Sequence, residues 1–206
     1  MVSPTVNDDA TDQLLALSQA NDASILTNFF QQYSAKLERI VQLRLHPALK
    51  GRIDACDIVQ EVFVQAINGL ERFLETKPMP VFLWLRKLLL QSLTQAHRRH
   101  LNAQRRDIRR ERDLQDVPPA NSGCIAIELS AGHPTPSRIV SQKETEEKLQ
   151  AALDALPEAD REILALWHFE QLSGPEVAIV LGISHEAAKK RHVRALAKLR
   201  SAGGFA

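Results

Sequence analysis

The chain has few cysteines, no long apolar run and no strand-like alternation, and each absence removes a class of protein. Only two cysteines occur in 206 residues, Cys56 and Cys124, in dissimilar surroundings and without metal-ligand spacing. Neither a disulfide framework nor a zinc site is indicated, and the chemistry suits a reducing compartment. No apolar run approaches the roughly 20 residues that cross a bilayer. The stretch Met1 to Ala20 lacks the basic start and continuous apolar core of a secretion signal, so the expectation is a cytoplasmic chain with no membrane insertion. Alternation of apolar and polar residues never lasts long enough for a strand, whereas apolar residues recur at threes and fours almost throughout, which predicts an all-α fold. With 44% hydrophobic residues the chain can bury one ordinary core or two small ones.

The net charge of +1 averages over segments of opposite sign. Residues 1–24 hold Asp8, Asp9, Asp12 and Asp22 with no lysine or arginine, and an acidic, disordered leader is expected there. From Arg86 to Arg112 the chain carries Arg86, Lys87, Arg98, Arg99, Arg105, Arg106, Arg109, Arg110 and Arg112 against Asp107 and Glu111, and a second basic cluster covers Lys189 to Arg200. Phosphate neutralisation depends on local charge density, so two separate basic segments point to two contacts with a polyanion.

Helical periodicity divides the chain. A first helix is expected after Ser24, burying Leu26, Phe30, Tyr33, Leu37, Ile40 and Val41 and ending at Pro47 and Gly51. A second, about Ile53 to Phe73, buries Val59, Val62, Phe63, Ala66, Ile67 and Leu70, and a third starts near Pro80. Between 113 and 142 periodicity fails amid Pro118, Pro119, Gly123, Gly132, Pro134 and Pro136, which reads as a mobile linker. Helices resume at Ser141, which with Glu144 has capping-box spacing, and continue over about Glu158 to Phe169, Gly174 to Leu181 and His185 to Ser201. The organisation is therefore a helical module over 25–112, a linker over 113–142, a second module over 143–201 and a short tail over 202–206.

Leu172 to Ser184 has the grammar of a helix-turn-helix. Ser173 and Glu176 can cap one another, Val177, Ala178 and Leu181 face inward, Gly182 supplies the turn, and Ser184 caps the next helix. That helix offers Lys189, Lys190, Arg191 and Arg194 outward over an inward stripe of Ala188, Ala195 and Leu199, an arrangement a DNA major groove admits. The plainer reading is an amphipathic hairpin with a solvated basic face. In the N-terminal module, Asp57, Gln60 and Glu61 gather at i, i+3 and i+4 on the side of the second helix away from its apolar stripe. No histidine, lysine or metal-ligand set completes a catalytic mechanism around them, so no enzyme is expected.

The stretch Asp54 to Ala66 resembles region 2 of the sigma-70 family, and Leu156-Pro157-Glu158 through Arg200 resembles region 4, in that family's order. Nothing like regions 1.1 or 3 is present, so the likeness is to the small extracytoplasmic-function group. The resemblance implies a non-enzymatic, cofactor-free subunit that binds core RNA polymerase and directs promoter recognition and transcription initiation. It gives Asp57, Gln60 and Glu61 to the β′ clamp helices. It gives the third helix, with Trp84, Lys87, Gln91, Thr94 and Arg98, to the minus-ten element, where cations hold phosphates and aromatics stack bases. A buried place for Trp84 is the competing reading. The minus-thirty-five element falls to Lys189, Lys190, Arg191, Val193 and Arg194. A contact with the β flap and an anti-sigma partner are also compatible with the resemblance. Departures from the family's pattern are His192, where a bulky apolar residue is usual and a half-buried core role is expected, Ala187-Ala188, and the long arginine run Arg105 to Arg112. Two other readings stay open: a helix-turn-helix regulator acting without polymerase, and an inactive sigma mimic.

Overall fold

The computed structural model describes residues 8–19, 23–46, 49, 51–76, 79–102, 118–130 and 139–203, and the regular elements among them are all helices. They fall into two compact units, Met1–Val41 with Leu45–Pro118, and Gln42–Arg44 with Pro119–Ala206. No helix among the described residues is long and apolar enough to cross a membrane. The arginine run from Arg105 to Arg112 lies outside them.

The first unit holds α1 (Asp8–Gln19), α2 (Ala23–Gln31), most of α3 (Ser34–Arg44), α4 (Ala55–Thr76) and α5 (Val81–Asn102). Its centre is aromatic and aliphatic. Phe30, Leu37, Ile40 and Val41, with Val59, Val62 and Phe63 of α4 and Leu85, Leu89 and Leu93 of α5, are all buried, and Phe30 stacks on Phe63 with centroids 6.0 Å apart. Each such side chain contributes about 1.5–3 kcal/mol by leaving water. Asp54 starts α4 by accepting the Cys56 backbone N–H at 2.9 Å.

Two expectations for this unit change. Residues 8–19 of the acidic leader form helix α1, which packs against α2 and buries Thr11 and Leu14. The signal was present: the aspartates crowd its first turns, where the helix dipole favours negative charge. The single helix expected after Ser24 is two, because the chain turns at Tyr33, whose N–H bonds to the Phe30 carbonyl at 2.9 Å while its own carbonyl starts α3. The apolar spacing carries through the turn, so periodicity alone could not find it.

The second unit holds α6 (Ser122–Ser130), α7 (Ile139–Ala155), α8 (Glu158–Leu164), a π-helical segment (Ala165–Phe169), α9 (Gly174–Leu181) and α10 (His185–Gly203). Helix α6 occupies part of the expected linker. Asn121 caps it, its Oδ1 accepting the N–H groups of Gly123 at 2.9 Å and Cys124 at 3.2 Å, and Ile125 and Ala126 are buried in the unit, where α6 lies along α7. The neighbouring prolines and glycine hid this short element. The helix expected over Glu158 to Phe169 changes pitch at Ala165: the Glu170 N–H reaches the Ala165 carbonyl at 3.0 Å, a π-type bond. Gln171 then takes a left-handed conformation, φ 50°, that ends the helix.

Gln42–Arg44 belong to this unit, where Arg44 is fully buried. Its guanidinium donates to Glu170 at 2.6 and 3.0 Å and to Glu162 at 2.6 and 3.2 Å. Burial alone would lower its pKa, but the charges of Glu170 and Glu162 more than offset that and hold it above its ordinary range.

Candidate functional site

In the second unit the helix-turn-helix forms as the sequence predicts. Glu176 Oε2 accepts the Ser173 backbone N–H at 2.8 Å and its hydroxyl at 2.7 Å, opening α9. Gly182 takes φ 62°, a left-handed value that closes α9 at little cost only for glycine. Ser184 Oγ accepts the Ala187 N–H at 3.2 Å and opens α10. Val177 and Ala178 are buried, while Leu181 is only half-buried.

Helix α10 separates its faces cleanly. Ala188, Ala195 and Leu199 are buried, whereas Glu186, Lys189, Lys190, Val193, Arg194 and Ala197 are exposed. Lys190, Val193, Arg194 and Ala197 stand three and four apart on the side opposite the buried alanines. Val193 is 64% exposed amid these cations. Arg191 lies half-buried on the flank, so it is set apart from the outermost row. The helix is braced from below by Lys198, whose Nζ meets Asp160 Oδ2 of α8 at 2.5 Å.

His192 lies on the inward side, between Ala188 and Ala195, half-buried as expected. Its ring stacks on Trp167, centroids 4.4 Å apart and planes 12° from parallel. Its Nε2 lies 2.9 Å from His168 Nε2. Burial lowers the pKa of both imidazoles, and His168 lowers that of His192 further.

In the first unit the residues of α4 predicted to act together share an exposed face. Asp57, Gln60 and Glu61 are all exposed, while Ile58, Val59, Val62, Phe63, Ala66, Leu70 and Phe73 are buried. Gln60 Nε2 lies 3.4 Å from Cys56 Sγ, and Gln65 Nε2 donates to Glu61 Oε1 at 3.3 Å and to Ser92 Oγ at 3.1 Å. Val64, one turn beyond Gln60 and Glu61, is 58% exposed on the same face. The sequence reading missed it because it followed only the inward stripe. Val64 falls out of phase with that stripe, which was the available signal.

Helix α5 presents Lys87, Gln91 and Arg98 to solvent, with Thr94 half-buried and its hydroxyl donating to the Leu90 carbonyl at 2.8 Å. Trp84 is not on that face. It is 9% exposed, stacked on Phe73 with centroids 4.2 Å apart and edge-on to Phe30 at 6.5 Å. Helical spacing alone aligned it with Lys87, but the first turn of α5 is buried nearly all round, Arg86 included. Among the described residues no cluster of three or more histidine, cysteine or carboxylate side chains could hold a metal.

A capped helix-turn-helix whose second helix turns a cationic face to solvent defines a DNA-binding protein. The family model of sigma-70 region 4 matches residues 146–199, which take in that motif. An RNA polymerase sigma factor, NccH, of Alcaligenes xylosoxydans is 33% identical over 146 residues, 71% of each chain. CnrH of Cupriavidus metallidurans, likewise an RNA polymerase sigma factor by name, is 29% identical over 150 residues, again 71% of each chain. The ECF RNA polymerase sigma factor SigD of Mycobacterium tuberculosis is 25% identical over 208 aligned positions, 99% of this chain and 91% of that protein. The chain belongs to the sigma-70 family of RNA polymerase sigma factors, in its extracytoplasmic-function group.

Proposed function

We propose that this chain binds core RNA polymerase and directs it to promoters, with the two units reading separate elements. In this reading Asp57, Gln60 and Glu61, joined by Val64, dock on the β′ clamp helices, and the second unit also meets the β flap. Lys87, Gln91, Thr94 and Arg98 face the minus-ten element, with Trp84 supporting them from the core. Lys189, Lys190, Arg191, Val193 and Arg194 face the minus-thirty-five duplex. Cations there suit phosphates and guanine edges, and the exposed methyl groups of Val193 suit a thymine methyl. The protein works where its polymerase is, in the cytoplasm.

One observation carries the docking role: α4 buries one flank completely yet leaves two carboxylates, an amide and a valine together in water. Carboxylates and an amide oxygen gathered on one exposed face suit a partner that presents basic side chains. Promoter opening needs no hydrolytic group, because polymerase contacts and capture of unpaired bases offset the loss of pairing. Reconstitution of the purified chain with core polymerase tests the reading on genomic promoters. Specific transcripts are the expected outcome. Absence of any complex with the polymerase would overturn it, and a complex silent on every promoter would leave only a blocking role.

A further inference from the structure

The basic face of α10 can read DNA only if it points the right way, and what sets its direction lies beneath it. Rotating the helix by about 20° about its axis would carry a side chain at a radius of about 5–6 Å through about 2 Å, more than hydrogen-bond geometry tolerates. The buried Ala188 and Ala195 resist such a rotation little, because a methyl group slides over its neighbours. At the C-terminal end the Lys198–Asp160 ion pair braces the helix. The N-terminal half is held by rings. His192 lies face to face on Trp167, and its Nε2 is 2.9 Å from His168 Nε2, a direct hydrogen bond between residues 24 apart in sequence. A Cβ at Gly174 would collide with the His185 imidazole and lie 3.4 Å from Trp167 Cη2, so both of those rings converge on bare glycine backbone.

We propose that His168 is a positioning residue for minus-thirty-five recognition: its hydrogen bond to His192 fixes the rotation of α10, and thereby the direction in which Lys190, Val193 and Arg194 face. This role rests on the reading of that row as the face that meets the duplex. His168 touches no DNA in it and acts through His192. The contact is directional because only one proton can lie between the two nitrogens. One imidazole donates from Nε2, and the other accepts at a bare Nε2 and carries its proton on Nδ1. Burial holds both rings below their ordinary pKa of 6.5 and so keeps the pair neutral. The π-helical pitch brings two consecutive residues onto one partner ring, Trp167 at its face and His168 at its edge nitrogen. A stack alone would let the His192 ring slide in its own plane, and the bond removes that freedom. The rival is a bond that stabilises the unit without aiming the helix.

Core polymerase carrying the full chain tests this on a promoter fragment that the native holoenzyme transcribes, and on the same fragment with its minus-thirty-five base pairs replaced. The readout is the ratio of the two affinities. A single well-aimed base contact is worth about fivefold or more in discrimination, so His168→Leu, which keeps bulk but cannot hydrogen-bond, should lower the ratio by at least that factor. His168→Gln, whose amide can stand in as donor or acceptor, should restore it. His192→Phe keeps the stack on Trp167 and should lose as much as His168→Leu, and it decides the matter should the leucine variant fail to fold. The double variant should lose no more than either single one, because each removes the same bond. A native chain with isotopically labelled histidine should show one protonated and one bare Nε2, coupled across the bond, and absence of that coupling would refute the pair. Native discrimination in His168→Leu and His192→Phe, with only the urea midpoint lowered, would overturn the positioning role and leave the minus-thirty-five reading intact. No discrimination in the native holoenzyme, with Lys190→Ala and Arg194→Ala equally without effect, would remove that reading and the positioning role with it.

Discussion

Trp84 lies face to face on Phe73, with planes 9° from parallel, and the pair closes the core between α4 and α5. A tryptophan so placed is worth far more to the fold than to any base stacked on it. Trp84→Ala should therefore cost about 3–5 kcal/mol, measured as a fall in the urea midpoint, with Trp84→Phe costing much less. An alanine variant of native stability that had lost only minus-ten binding would refute the core placement.

Exposed Asp57, Glu61 and Val64 should behave in the opposite way. Substitution of each by alanine should leave unfolding stability within about 0.5 kcal/mol. On the docking reading, the double variant Asp57→Ala with Glu61→Ala should weaken core polymerase binding by about tenfold or more, and Val64→Ser should add to the loss. Calorimetry on purified core enzyme checks both, and unchanged affinity would remove this face from the interface.

Lys190 and Arg194 stand on the outer side of α10, where a phosphate contact would show as salt dependence. Removing one such contact should reduce the slope of log affinity against log salt by about one. Lys190→Ala is expected to do so on promoter fragments without altering the fold. An unchanged slope would place Lys190 off the DNA.

His97 supplies a pH dependence to the first unit. Its Nε2 accepts the backbone N–H of His46 at 3.3 Å, and burial, followed by the proximity of His46, lowers its pKa below the ordinary 6.5. The unfolded chain thus binds this proton more readily than the folded one. The stability held by neutral His97 is complete above the unfolded value and is lost as pH falls through the folded one. Between pH 7 and 5 the native chain should lose more stability than His97→Gln, and parallel losses would contradict the assignment.

Among the described residues Arg44 is the largest fully buried side chain, held between Glu162 and Glu170. Removing one partner of a buried ion pair costs about 3–5 kcal/mol, because the remaining charge stays out of water. Arg44→Ala should approach that figure. Adding Glu170→Gln should recover part of it, which denaturation of the single and double variants would reveal.

Locality decided which features were legible in the sequence. The helix-turn-helix was readable because Ser173, Glu176, Gly182 and Ser184 act within a few residues of one another, each by its own chemistry. The exposed trio on α4 was readable because burial of its neighbours keeps to a single period. Trp84 stayed open between core and DNA because its surroundings are set by Phe30 and Phe73, which no helical spacing relates to it. The His168 and His192 pair, the Arg44 cluster and the turn at Tyr33 are likewise products of tertiary packing. Helix α6 differs: its Asn121 cap was visible, but proline and glycine on either side outweighed it.

The π-type bond from Glu170 to Ala165 means that five residues occupy the place of four. Chain length between 165 and 169 is thereby as much a determinant as residue identity. Deleting one residue there would let the helix regain its α pitch with every backbone bond intact, yet swing α8 by about 100° relative to α9. Trp167 and His168 could not then both keep their places against His192. A one-residue length difference between relatives at this point is thus expected to separate those that carry the histidine pair from those that do not.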